Sequence, residues 1–407
     1  MITQSLAHTI SIVPKRRKAE AKTLRYTYIN TSIFLSGLSV FAQLYVFQPL
    51  LPLVCKQFSV TPAQSSYTVS ASTLGVGIGL FILSFKADEL HRKQLMGFSM
   101  IISALLTIST AFVHNFPLLV FINACKGIAL AGVTGVALAY LSEEISAAAI
   151  GRAISLYLSG NAIGGMAGRI EATLLAGWLN WRWAMGLIGL SSLVIGIVFV
   201  KLLPASRHFV PAKAGFKVKW QQIGQFSRHP VMLRYYITAA CIMGTFVSVY
   251  NYLGFRLEAP PFSLPHYIIA SVFLMYTIGV VGTMVAGKWS DKVAPQQLIR
   301  LFILFLAGGL LAMLSGNLVV LVCGLGLVTF SFFAGHTMAS RIIAQTAQHN
   351  KSTATALYWL FYYIGSSIIG SGSGVLLSGQ GWTVFILLLL AIALLLQLLV
   401  YPRKPTA

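Results

Sequence analysis

The 407-residue chain is 57% hydrophobic and only 9% charged, with a formal net charge of +21 and a mean hydropathy of +0.80. A water-facing domain carries about 25% charged residues, so this chain cannot cover a soluble surface and reads as an all-α membrane protein. Its positive charge is no nucleic-acid footprint: outside the apolar runs, every Lys and Arg except Lys56, Arg182 and Arg256 falls on one side of a twelve-helix threading, the asymmetry that orients membrane proteins with their basic side in the cytoplasm.

Residues 1–25 are polar and basic, a mobile arm. Apolar runs near 27–53, 65–85, 95–113, 117–140, 153–178, 182–203, 232–254, 266–287, 298–315, 318–340, 353–377 and 382–401 predict twelve transmembrane helices, each needing about 20 residues. They divide the chain into a cytoplasmic basic arm (1–25), an N-terminal six-helix bundle (26–203), a cytoplasmic linker (204–230) and a C-terminal six-helix bundle (231–407), with both termini cytoplasmic. In helix 1, Pro49 and Pro52 predict a bent outer half. Gln43 and Gln48 either reach a substrate or hydrogen-bond a neighbouring helix. The run 84–93 is the most charged short stretch between two apolar segments, and Asp88 there forms a charge cluster with Arg92 and Lys93. A second version of the run, with Asp291, recurs half a chain length later and suggests a duplicated unit.

Helix 4 carries Asn123 and Lys126 and ends at Glu143 and Glu144. Lys126 lies roughly 14 Å below the outer end. An ionisable group at that depth is either a functional group or a snorkelling or internally paired one. Helix 5 follows Arg152 with Gly160, Asn161, Gly164, Gly165, Arg169 and Glu171. Its glycines permit close helix contact. Arg169 and Glu171, two apart, point to different faces. Lys126 and Glu171 are expected to meet across helices 4 and 5 and leave Arg169 for a cavity; the swapped assignment of Arg169 and Glu171 is the alternative. The linker is basic and partly amphipathic, suited to the inner leaflet. Asn251 sits between two tyrosines near the outer end of helix 7. In helix 10, His336 is a proton carrier near neutral pH or a hydrogen-bonded packing residue. In helix 11, Gly365 and Gly370 repeat Gly160 and Gly165 at a constant offset. The four cysteines are far apart and no His or Cys spacing suggests a metal; no cofactor is expected.

These residues resemble the major facilitator superfamily over nearly the whole chain. Asp88, Arg92 and Lys93 match its motif between helices 2 and 3, with Ser84 and His91 at positions where the family has Gly. Asp291 matches the loop between helices 8 and 9, without the paired basic residues. Gly160, Gly164 and Gly165 are similar to the helix 5 motif of antiporters, with Asn161 in place of its Pro. Asn123 stands where the helix 4 motif has Arg, and Lys126 is three residues on. Residues 48–52, 140–145 and 159–165 resemble a bacterial inner-membrane group of arabinose efflux permeases. The resemblance implies two pseudo-symmetric six-helix bundles around a cavity lined by helices 1, 4, 7 and 10, working by alternating access in a bacterial inner membrane. It implies proton-coupled efflux of a sugar or drug-like molecule, with proton-coupled uptake or a non-transporting receptor as alternatives, and no enzyme activity. Asp88 with Arg92, and Glu143 or Glu144 with Arg152, would close the cytoplasmic side, with Asp291 the second-half counterpart. The chain has no nucleotide-binding motif, so a proton gradient is the expected energy source, carried by Glu171 or, behind it, His336. The expected partners are the bilayer and a small-molecule substrate, with the protein a monomer.

Overall fold

The computed structural model describes residues 18–209, 211, 216–347 and 349–401, except for the side chains of Asp88, Phe216 and Ser352. The described residues form helices and turns, apart from one isolated bridge between Ala19 and Ile145. In chain order these are helix 1 (Leu24–Phe58), helix 2 (Pro62–Lys86), helix 3 (Arg92–Thr110), helix 4 (Phe116–Glu144), helix 5 (Ile150–Trp178) and helix 6 (Trp181–Leu202). A linker helix (Phe216–Arg228) follows. The second half holds helix 7 (Pro230–Glu258), helix 8 (His266–Trp289), helix 9 (Pro295–Ala312), helix 10 (Leu318–Thr346), helix 11 (351–380) and helix 12 (382–399). Gly381 separates the last two: its φ of 81° is open to glycine and strained for other residues. By length and apolarity alone, 10 stretches could cross a membrane. The Gly381 break divides the last of them into two, and the more polar helix 5 completes twelve.

Local chemistry sets the ends. Thr23, Asn115, Asn180 and Asn317 cap helices 1, 4, 6 and 10, each side-chain oxygen accepting a first-turn backbone N–H that would otherwise lack a partner. Helix 1 breaks between Tyr45 and Phe47, just before Pro49, as its prolines predict. Helix 4 breaks at Gly135–Val136 and helix 8 at the tight turn Phe273–Met275.

The halves correspond pairwise. Helix 1 packs on 5, 2 on 4 and 3 on 6, and equally 7 on 11, 8 on 10 and 9 on 12; across the halves, 2 meets 11 and 8 meets 5. Exchanging the halves turns each pair into the other, the signature of a pseudo-two-fold axis. Gly164 and Gly365 make the 1–5 and 7–11 contacts possible, since a methyl group on either would overlap backbone atoms of Leu38 or Ala240.

Two expectations for the basic face change. The described end of the arm is fastened: Ala19 N–H donates to Glu144 O at 2.8 Å and Ser146 N–H donates to Ala19 O at 3.0 Å. Residues 1–17 lie outside the described part. The linker helix grips protein as well as facing outward. Lys219 Nζ donates to Ser84 O at 2.8 Å, the Trp220 and Phe85 rings are 6.4 Å apart, and Thr353 donates to Gln222 Oε1 at 3.2 Å. It therefore straps the ends of helices 2 and 11, because those ends offer carbonyls and a hydroxyl within reach of its polar side chains.

Candidate functional site

A cavity of about 440 Å³ lies between the halves, with Ser84, Ala87 and Lys351 toward the basic face and Phe41, Asn161 and Tyr363 deeper. Its walls come from helices 1, 2, 4, 5 and 11, with Arg92 at the start of helix 3, not from 7 and 10 as expected. The inward faces of helices 7 and 10 are filled instead by an aromatic core in which the Phe246 and Phe332 rings stack at 3.8 Å.

On the opposite face the halves close on each other through hydroxyls. Ser66 donates to Ser371 at 2.7 Å, Ser70 and Ser371 share a short hydrogen bond, and Thr73 and Ser367 lie 3.0 Å apart. Ser367 also donates to Ser70 O at 3.0 Å, and Tyr252 Oη donates to Ser66 at 3.0 Å. Ser66, Ser70 and Thr73 recur at helical spacing, as do Ser367 and Ser371, so each set lies along one face. That periodic signal was in the sequence and was missed.

Below this seam, Gln48 Nε2 donates to Asn251 Oδ1 at 2.9 Å. The two residues are 203 apart, the spacing of Asp88 and Asp291, so equivalent positions of the two halves touch near the axis. Arg169 Nε donates to Gln48 Oε1 at 2.7 Å, Nη1 donates to Gly165 O, and Asn251 Nδ2 donates to Gly370 O at 3.2 Å. The Arg169 guanidinium is sandwiched between the Tyr45 and Tyr276 rings, 4.5 and 4.6 Å from their centroids. Arginine tolerates such burial because its plane stacks on aromatic faces and is weakly hydrated. The two tyrosines were not anticipated, since they come from helices far apart in sequence.

Gly165 is not a packing glycine like Gly160 and Gly164. A methyl group there would stand a tight 3.3 Å from Arg169 Nη1 and 3.9 Å from Phe41 Cβ, so its bare backbone lets the guanidinium lie close against helix 5 beside Phe41, a cavity-wall residue. Gly370 packs on helix 7, where a methyl group would stand 3.0 Å from Val247 Cγ1, and its carbonyl also accepts from Asn251.

Lys126 is fully buried. Its Nζ donates to Asn123 Oδ1 at 2.7 Å and lies 5.3 Å from the Phe47 ring centroid, while Ser72 donates to the same Asn123 oxygen. The expected Lys126–Glu171 pair is not formed. Glu171 is exposed on the outside of helix 5, because two residues turn it about 200° from Arg169, and no ion pair links it to Lys126 among the described residues. Neither buried cation has a carboxylate partner there. Gln43 faces helix 3, accepting from Thr107 at 2.9 Å, and is a packing residue. His336 accepts or donates at Nδ1 with Tyr358 Oη at 2.6 Å inside an aromatic cage that includes Tyr362 at 5.0 Å.

On the basic face, Arg92 pairs with Glu143 at 3.1 Å and donates to Ala87 O at 2.6 Å. Glu144 does not pair with Arg152, which is exposed. Its buried carboxylate instead takes Arg25 at 2.6 Å and the backbone N–H groups of Arg207 and His208 at 2.6 and 2.9 Å. Glu144 points toward the arm and linker because it follows Glu143 by one residue, about 100° around the helix. The Asp88 side chain lies outside the described part; its backbone is in a tight turn, Ala87–Glu89. Lys93 is half-buried and Asp291 exposed; beside Asp291, Arg341 donates to Ser290 Oγ.

The family model described as Major Facilitator Superfamily matches residues 33–370. An uncharacterized MFS-type transporter, YybF of Bacillus subtilis (strain 168), is 35% identical over 355 residues, 87% of this chain and 88% of that protein. The inner membrane transport protein YnfM of Escherichia coli (strain K12) is 32% identical over 383 residues, 92% of this chain and 90% of that one. Among solved structures, a bacterial homologue of the human lysosomal transporter Spinster, inward-facing and occupied, superposes with a TM-score of 0.78 at 14% identity, covering 93% of this chain and 97% of that one.

Proposed function

The chain belongs to the major facilitator superfamily and is a multi-pass membrane transporter, and from that premise we propose that it exports a small molecule across a bacterial inner membrane by proton-coupled alternating access. The observation that carries this is the opposition of a sealed hydroxyl seam on one face and an open cavity on the other. With the basic face in the cytoplasm, this is an inward-facing state. Rocking the halves about the Gln48–Asn251 contact would part helices 2 and 11 and close the cavity mouth beside Ser84 and Lys351.

Proton coupling rests on the missing nucleotide motif and on ionisable groups at depth. Glu171 has the wrong face for a proton path through the interior. His336 beside Tyr358 and the buried Lys126 take its place as candidates. The test is a substrate screen in inside-out vesicles with an imposed proton gradient. Accumulation that collapses with the gradient is the expected result. Accumulation that persists without a gradient would remove proton coupling, and movement only in the opposite sense would favour uptake.

A further inference from the structure

We propose that the cavity takes an organic monoanion with an aromatic body, its anionic group seated at Arg169; this rests on the transporter reading and adds a substrate class to it. Charge balance is the first ground. The chain has 8 carboxylate side chains. Glu20 lies in the arm, Asp88, Glu89 and Asp291 in basic-face turns, Glu143 and Glu144 at the inner end of helix 4, Glu258 at the end of helix 7 beside His266, and Glu171 on the outside of helix 5. None lies where it can neutralise Arg169, a buried guanidinium at membrane depth that keeps its charge. A cationic ligand would meet uncompensated positive charge, whereas an anion would supply what the protein omits.

Geometry selects Arg169 as the seat. Lys126 is fully enclosed and directed at Asn123. Arg169 uses Nε on Gln48 and Nη1 on Gly165, and its other N–H groups have no acceptor among the described residues, although a guanidinium offers a planar fork suited to a carboxylate. Arg169 is itself only 2% exposed, but its Nη1 reaches back along helix 5 to Gly165 O, one helical turn from Asn161 in the cavity wall. Below lie Tyr157, Asn161, Trp359 and Tyr363, walls suited to an aromatic ring. The cavity's 440 Å³ falls in the range of about 300–1,000 Å³ that holds small organic ligands.

The test uses the purified full chain in detergent, titrated calorimetrically with benzoate and 2-naphthoate, their neutral amides, and benzylamine. The acids should bind at least ten times more tightly than their amides, with benzylamine weakest. Arg169→Gln should abolish the preference. Gly165→Ala, which keeps the cation and places one methyl group under it, should weaken the acids and spare the amides, and stands in should the first variant fail to fold. Equal binding of acid and amide, or a preference that survives both substitutions, overturns the anion site. The same preparation in vesicles separates the two levels. Flux of any other solute with no anion preference sinks this inference alone, and anion binding with no flux of any screened solute sinks the transporter reading.

Discussion

Removing the Ser371 hydroxyl tests whether the seam between helices 2 and 11 holds one face shut. In Ser371→Ala, the hydrogen bonds from Ser66 and to Ser70 are lost, while Thr73–Ser367 and Ser367–Ser70 O remain. Each buried hydrogen bond contributes about 1 kcal/mol net. Ser66 keeps Ala63 O as an acceptor, so the closed state should lose roughly 2 kcal/mol relative to a state in which these hydroxyls are solvated. That is a factor of about 30 in the ratio of the two states. If the state open on this face begins near 1%, it should rise to roughly a quarter. Spin labels at the exposed positions Gln57 and Gln380, on opposite halves, read this directly in a background without native cysteines. A longer-distance population should grow about twentyfold in the variant. An unchanged distance distribution in a folded variant would refute the seam as a determinant of the equilibrium.

Other outcomes follow from the same geometry. Glu144→Ala removes the carboxylate that pairs with Arg25 and accepts two linker N–H groups, leaving Arg25 only Ala205 O, and should cost about 2–4 kcal/mol of stability; thermal unfolding in detergent should show a clear drop, and Arg152→Ala should show none. Gly164→Leu should abolish folded protein on gel filtration, because helix 1 backbone occupies the space, whereas Gly372→Ala, with open space around it, should be tolerated. Lys126→Ala and Glu171→Ala should be additive in stability within about 0.5 kcal/mol, as for sites that do not touch; a larger coupling would bring back the pairing that the structure lacks. Lys219→Ala should raise proteolytic cleavage of the linker if its bond to Ser84 O fastens the strap, and an unchanged cleavage rate would count against that.

Much of the architecture was legible along the chain. Composition alone placed the protein in a bilayer, because 9% charge cannot clothe a soluble surface. Run lengths fixed the number of helices, Pro49 marked the break in helix 1, and the echo of Gly160 in Gly365 exposed the duplication, since both answer the same close backbone contact. Lys126 and Arg169 were recognisable as costly cations at depth. These are local quantities: hydropathy over a window, a ring that constrains φ, a missing Cβ.

What escaped depends on how each helix is rotated and on what stands opposite. Glu171 looked like the partner of Lys126 until the turn of helix 5 carried it outward. Glu144 looked like a gate residue until the arm and linker folded back on it. Tyr45 and Tyr276, which enclose Arg169, share no sequence neighbourhood. The sequence by itself determined the solvent, the helices and the two-fold plan, because these follow from free energies summed along one segment. Only the tertiary structure decided which charges go unpaired and which hydroxyls meet, because a contact between helices is set by rotation and depth, and a two-residue shift turns a side chain from the cavity to the lipid.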